Sequence, residues 1–234
     1  MFTGGLSLTA GPPYLTDDPE PVALHHWEVY LFSAGQSTGG VRSGLGPAME
    51  ANYGPFQDVQ LQFQIPMAYS DQEPGRHTRR GIGDVEVGIK YRFLHESDNL
   101  PQVALYPQVF APTGSDRDDL DSGHWKVLLP LWLQKGFGPW TTYGGLGWWR
   151  NPGAGNRNFL QYGWLLQREL AEGWSLGAEV FHQDSAGLDQ AASTVWDLGF
   201  EAALVHHLQL VGSGGRTFQG PRGSQYYLGL RGNF

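Results

Sequence analysis

The sequence predicts an all-β chain that closes into an antiparallel, up-and-down transmembrane β-barrel of about twelve strands. Three observations carry that prediction: strict period-two alternation, the absence of any long apolar run, and a regular exchange of short and long connections. The clearest alternation lies in residues 83–93. Val85, Val87, Ile89, Tyr91 and Phe93 share one register, and Asp84, Glu86, Gly88, Lys90 and Arg92 share the other. An extended strand puts those two sets on opposite faces, one suited to lipid and one to water or salt bridges.

No stretch reaches the roughly 18 apolar residues that a membrane-crossing helix needs. Aromatic residues make up 13% of the chain and charged residues only 16%, while the mean hydropathy is -0.35. A barrel reconciles these values, because alternate residues are polar and strand ends carry aromatic girdles. The 234 residues suit one all-β unit. With no cysteine, disulfides, thiolate metal sites and cysteine nucleophiles are excluded together. A formal net charge of -8 and the lack of a Lys/Arg run argue against nucleic acid, which requires a basic face.

Residues 1–10 end in Leu8-Thr9-Ala10 and read as the remnant of an export signal, without its basic start or full apolar core. Residues 11–22 are dense in proline and should be extended, since proline cannot donate to a ladder. The chain therefore divides into a leader, 1–23, and a barrel, 24–234. Asp17, Asp18 and Glu20 make the leader acidic. Three roles stay open for it: a plug in the barrel mouth, a contact for a periplasmic partner, or a tether.

From Leu24 the alternation begins, with Trp27, Val29 and Leu31 against His26, Glu28 and Tyr30. The glycine- and serine-rich residues 33–46 are expected to form a loop, residues 47–53 a second strand, and Gly54-Pro55 a tight turn. Residues 58–67 form a third strand, with Val59, Leu61, Phe63, Ile65 and Met67 opposite Asp58, Gln60, Gln62 and Gln64. A polar loop, 70–80, leads to 83–93. Further strands fall near 102–111, 124–134, 140–149, 158–168, 174–183, 194–204, 208–216 and 225–234.

The short connections are then 54–55, 95–101, 136–139, 169–173 and 205–207, and the long ones are 33–46, 70–80, 112–123, 151–157, 184–193 and 217–224. Their alternation is that of an outer-membrane barrel with short periplasmic turns and long outer loops. A sandwich with Greek-key crossovers would not be expected to produce it. Trp125, Trp140, Trp164, Trp174, Trp196, Tyr53, Tyr91, Tyr162 and Tyr226 fall on outward registers, many near strand ends where rings favour the lipid–water boundary. In the last strand Tyr226, Leu228, Leu230, Gly232 and Phe234 share a face. Phe234 resembles the aromatic signal read by the outer-membrane assembly machinery; the plainer reading is an edge strand that happens to end in Phe.

The inner wall supplies the candidate functional residues: Glu50, Gln60, Gln62, Gln64, Asp84, Glu86, Lys90, Arg92, Lys126, Glu179, Asp197 and Glu201. Such groups select permeants or pair with one another and with water to fill the barrel. About twelve strands lies between barrels that side chains fill and those with an open channel, so any pore is narrow. Asp116, Asp118, Asp119 and Asp121 lack the spacing of a calcium loop. His25-His26 and His206-His207 are adjacent, and on strands they would point to opposite faces, so no metal is expected. Ser122 and His124 are the one nucleophile–base pairing considered for a lipid-modifying enzyme. His124 falls on the inward register, so no catalytic residue and no cofactor is assigned.

Gly11-Pro12-Pro13-Tyr14-Leu15-Thr16-Asp17-Asp18-Pro19-Glu20-Pro21-Val22, followed by His26-Trp27-Glu28, resembles the start of the bacterial family named for the MetA pathway of phenol degradation. Gly81-Ile82-Gly83-Asp84-Val85-Glu86-Val87-Gly88 with Lys90-Tyr91-Arg92 is similar to that family's Gly-Asp strand. The resemblance implies a small barrel of the bacterial outer membrane, often labelled a transporter, that passively conducts hydrophobic or aromatic compounds; it carries over no catalytic residues. The expected partners are membrane lipid and a small-molecule permeant. The alternatives are a closed structural barrel that binds a protein through its loops or leader and, third, the lipid-modifying enzyme.

Overall fold

The computed structural model describes residues 11–71, 78–114 and 123–234. The described residues contain strands and no helix: β1 (Trp27–Thr38), β2 (Val41–Phe56), β3 (Val59–Asp71), β4 (Thr78–Ile82), β5 (Val85–Leu94), β6 (Gln102–Leu105), β7 (Gln108–Ala111), β8 (Lys126–Phe137), β9 (Trp140–Arg150), β10 (Phe159–Ala171), β11 (Trp174–Gln183), β12 (Ser193–Val205), β13 (Leu208–Gln219) and β14 (Gly223–Asn233). All strand pairings are antiparallel, and β1 pairs with β14 from Glu28↔Asn233 to Thr38↔Gly223. That last ladder closes the wall, leaving no sheet edge between first and last strands.

The wall has twelve staves, because two of them are each built from a pair of short strands. β4 and β5 both pair with β3 and are separated at Gly83-Asp84. Likewise β6 and β7 both pair with β8, separated at Tyr106-Pro107. Pro107 has no N–H to give the ladder, and the Tyr106 and Ile89 amides turn instead to the carbonyls of Pro130 and Pro107 at 3.2 and 3.0 Å.

Burial is inverted relative to a soluble protein. On β5 Val87, Ile89 and Tyr91 are 50%, 48% and 51% exposed, whereas Glu86 and Lys90 between them are 0% and 4% exposed. The apolar register therefore faces outward all round the barrel, as a lipid solvent requires. Trp125, Trp140, Trp164, Trp174, Trp196, Tyr91, Tyr162 and Tyr226 lie exposed on that surface. Tyr53 is half-buried and stacks on Trp27 with ring centroids 4.6 Å apart.

Three expected connections are different. Residues 33–46 are not a loop: β1 and β2 run on to a two-residue turn at Gly39-Gly40. Both glycines have positive φ, 60° and 85°, as the tight hairpin turn demands. The glycines that suggested a loop are strand residues with tyrosines laid across them. A Cβ on Gly35 would meet the Tyr69 hydroxyl and the Tyr226 ring, and one on Gly44 the Ala34 carbonyl and the Tyr69 hydroxyl. For residues 217–224 the strands again extend, leaving 220–222 as the connection. Both tight hairpins stand on the long-loop side, so the alternation of loop lengths is less regular than expected. The Gly54-Pro55 turn is also displaced: β2 continues through a register shift to Phe56, and the chain reverses at Gln57-Asp58 with Asp58 at φ 63°.

Within the expected loop 70–80, β3 extends to Asp71 and β4 begins at Thr78. Residues 72–77 lie outside the described residues, as do 1–10, Asp116, Asp118, Asp119, Asp121 and Ser122. His206-His207 forms the turn between β12 and β13, within the expected short connection 205–207, and its two rings stack 4.7 Å apart. Strand alternation therefore does not separate that pair. Among the described residues no group of three or more His, Cys, Asp or Glu is placed to hold a metal ion.

Candidate functional site in the barrel lumen

Residues 11–22 lie inside the barrel. Pro13, Tyr14, Thr16, Asp17, Pro19 and Pro21 are buried although none belongs to a strand. A proline-rich segment offers few amides, so its contacts run largely from wall side chains to its main chain and from its side chains to the wall. The Ser213 hydroxyl donates to the Pro13 carbonyl. The Glu179 carboxylate accepts the amides of Leu15, at 3.0 Å, and Thr16. Two donors on one buried carboxylate are charge-assisted bonds, the stronger kind.

The chain then crosses the lumen. Lys90 donates to Asp17 at 3.1 Å and stands 3.8 Å from Asp18, on the side opposite Glu179. Farther on, the Val22 amide donates to Gln60 at 2.9 Å, and Leu24 bridges to Gly54 before β1 begins. The leader thus touches β13, β11, β5, β3 and β2 in turn. Burial pushes the Asp17 carboxyl up to about 6 in spite of the ammonium beside it.

Glycines make the seat. A Cβ on Gly163 would overlap the Thr16 hydroxyl, and Cβ atoms on Gly177 and Gly199 would overlap the Tyr14 ring. Gly177 and Gly199 are register partners on β11 and β12. Glycine within a strand often marks such a close approach by another segment. Tyr14 also packs with Tyr143 and Leu165. Replacing Gly199→Val should eject Tyr14 while leaving a strand-compatible residue in the wall. Chymotrypsin is then expected to cut after Tyr14 in the variant and not in the parent, read by mass spectrometry of the folded protein.

Toward the end that carries Gly39-Gly40, the interior is apolar as well as polar. Phe110, Leu128, Trp149 and Phe159 form a buried cluster, in which the Trp149 ring is tilted against Phe110 with centroids 5.0 Å apart and stacked on Phe159 at 5.6 Å. Beside it Gln64 donates to Glu86, and Gln108 to Gln62, each at 3.3 Å. Toward the other end the leader roofs a cavity of about 740 Å³.

Glu50, Gln60, Gln62, Gln64, Glu86, Lys90, Glu179 and Asp197 are buried inside the barrel. Arg92 pairs with Asp58 at 2.8 Å, and Lys126 with Asp84 at 3.3 Å. Glu201 binds Arg231 at 2.5 Å, and Asp197 accepts from Gln225. Asp17 and Asp18 meet Lys90, while Glu20 is exposed at the cavity. The sequence reading did not select Tyr14, Thr16, Asn52, Tyr143, Trp149 or Arg231. For Trp149 and Arg231 the inward register was the available signal; for Tyr14 and Thr16 it was the strand glycines they cover.

Several solved structures share the architecture. The crystal structure of an outer membrane channel from Pseudomonas putida F1 aligns with a TM-score of 0.74 at 17% identity, covering 93% of this chain and 98% of that one. The KdgM porin in complex with disordered oligogalacturonate gives 0.63 at 8%, covering 88% and 99%. The translocator domain of autotransporter NalP from Neisseria meningitidis gives 0.59 at 11%, covering 91% and 89%. At these identities the likeness is one of fold, that of a bacterial outer-membrane β-barrel. The family model described as "Putative MetA-pathway of phenol degradation" matches residues 28–229, and the chain belongs to that family.

Proposed function

We propose that the protein is a passive outer-membrane channel for small molecules in which residues 11–22 form an internal constriction. The observation that carries this reading is the seated leader: it crosses a polar lumen on a few side-chain bonds and joins no ladder. A segment held in that way narrows the path without being part of the wall. Charged and amide side chains on either side of it are suited to selecting what passes. A permeant with an apolar or aromatic body is in keeping with the family's description and with the apolar character that the Phe110, Trp149 and Phe159 cluster gives the interior. The named channel and porin among the similar structures support passive passage. The exposed ring of Phe234 supports recognition by the outer-membrane assembly machinery.

Swelling of liposomes containing the full chain, with neutral sugars of graded size, tests the reading. The smallest sugars are expected to enter slowly and the larger ones not at all. Rates equal to those of protein-free liposomes for every solute would overturn it and favour the closed, partner-binding barrel.

A further inference from the structure

The cavity beneath the leader has a composition that a water-filled passage does not require. Six carboxylates line it, those of Asp17, Asp18, Glu20, Glu28, Glu50 and Glu201, against two permanent cations, Lys90 and Arg231. Both cations are already engaged, Lys90 by Asp17 and Asp18, and Arg231 by Glu201 at 2.5 Å with Glu28 at 3.9 Å. Glu50 has no cationic partner among the described residues, and the cations that act on Glu20, Arg92 and Lys90, are themselves paired with Asp58 and with Asp17 and Asp18. Glu50, 4% exposed, accepts a bond from the Asn52 amide at 2.8 Å. The Asn52 carbonyl oxygen is itself buried in the cavity wall with no hydrogen-bond partner. An unpaired buried acceptor is costly, so this wall is short of both positive charge and donor hydrogens.

The wall also carries rings. Tyr30, Tyr106 and Tyr143 line the cavity, and the Lys90 ammonium sits 4.8 Å from the Tyr106 ring centre, within cation–π range. About 740 Å³ falls in the range of small-molecule sites. The carboxylates are too dispersed to cage a metal ion, and no metal-holding group occurs among the described residues. A larger cation with an apolar body fits all of these features, because its charge and N–H donors meet Glu20, Glu50 and Asn52 while its body meets the tyrosines.

We propose that this inner vestibule is a binding site for an organic ammonium ion carrying an aromatic or apolar group. The site goes beyond the channel reading, since a ligand reaches it from the periplasmic mouth without passing the leader. Calorimetric titration of the full chain in detergent separates the two, because binding is read without transport. The probes are benzylammonium, benzyl alcohol and benzoate, with empty micelles subtracted. Benzylammonium is expected to saturate a site at least about tenfold more tightly than benzyl alcohol, with no binding of benzoate. Glu50→Gln should weaken benzylammonium about tenfold. Glu20→Gln, at an exposed position that does not threaten folding, should weaken it in the same direction. Glu172→Gln, in the β10–β11 turn outside the cavity, should change nothing. Equal affinity for all three probes, no binding of benzylammonium, or unchanged affinity in both Glu20→Gln and Glu50→Gln would overturn the proposal.

Discussion

Deletion of residues 11–22 is expected to raise single-channel conductance in planar bilayers severalfold while leaving a folded barrel. The wall does not use the leader: β1 begins at Trp27, and the β1–β14 seam closes without any residue before Trp27. What the deletion removes is the one span of described chain that crosses the lumen, together with Tyr14 and the buried prolines. Circular dichroism should therefore remain that of a β-barrel. Glu179 and Lys90, now buried beneath the leader, would then face each other across an open passage. A conductance equal to that of the parent would end the idea that the leader constricts the path.

Lys90→Met should have the second largest effect, because it leaves the Asp17 carboxylate buried opposite no cation. Removing one partner of a buried ion pair costs about 3 kcal/mol, a shift of about 100-fold in the balance between seated and withdrawn leader. Bilayer recordings are expected to show a large gain in open probability. The double variant Asp17→Asn with Lys90→Met removes both charges and keeps the shape, so it should return most of the closed behaviour. Loss of closure in Lys90→Met without recovery in the double variant would indicate that Lys90 acts through the wall rather than through the leader.

The wall was legible in the sequence wherever two apolar and polar registers alternate cleanly. Residues 59–67 and 85–93 show this best, since Phe63, Ile65, Val87 and Ile89 lie exposed and Gln62, Gln64, Glu86 and Lys90 buried. Glycine blurred the rest. At Gly35 and Gly44 the missing side chain leaves room for Tyr69 and Tyr226, which come from β3 and β14 and are distant in sequence. A local reading has no means of distinguishing that vacancy from a loop. The same holds at Gly163, Gly177 and Gly199, whose purpose is set by Thr16 and Tyr14 in a segment that precedes the first strand. The turn at His206-His207 was legible as the short connection 205–207, and only the strand argument about where its two side chains point does not apply there. The proline-rich leader was readable as extended chain, but its seat depends on groups from opposite sides of the barrel.

The bonds that hold the leader also bear on the order of assembly. Leu15 and Glu179 are 164 positions apart, and Pro13 and Ser213 are 200 apart. Hairpins between neighbouring strands close small loops and form early, whereas contacts across such separations wait on most of the chain. Glu179 and Lys90 stand on opposite sides of the lumen, so both can grip the leader only once the strands between them are in register. Seating of the leader is therefore expected to follow registration of the strands, so that a newly made barrel has its wall before it has its full interior.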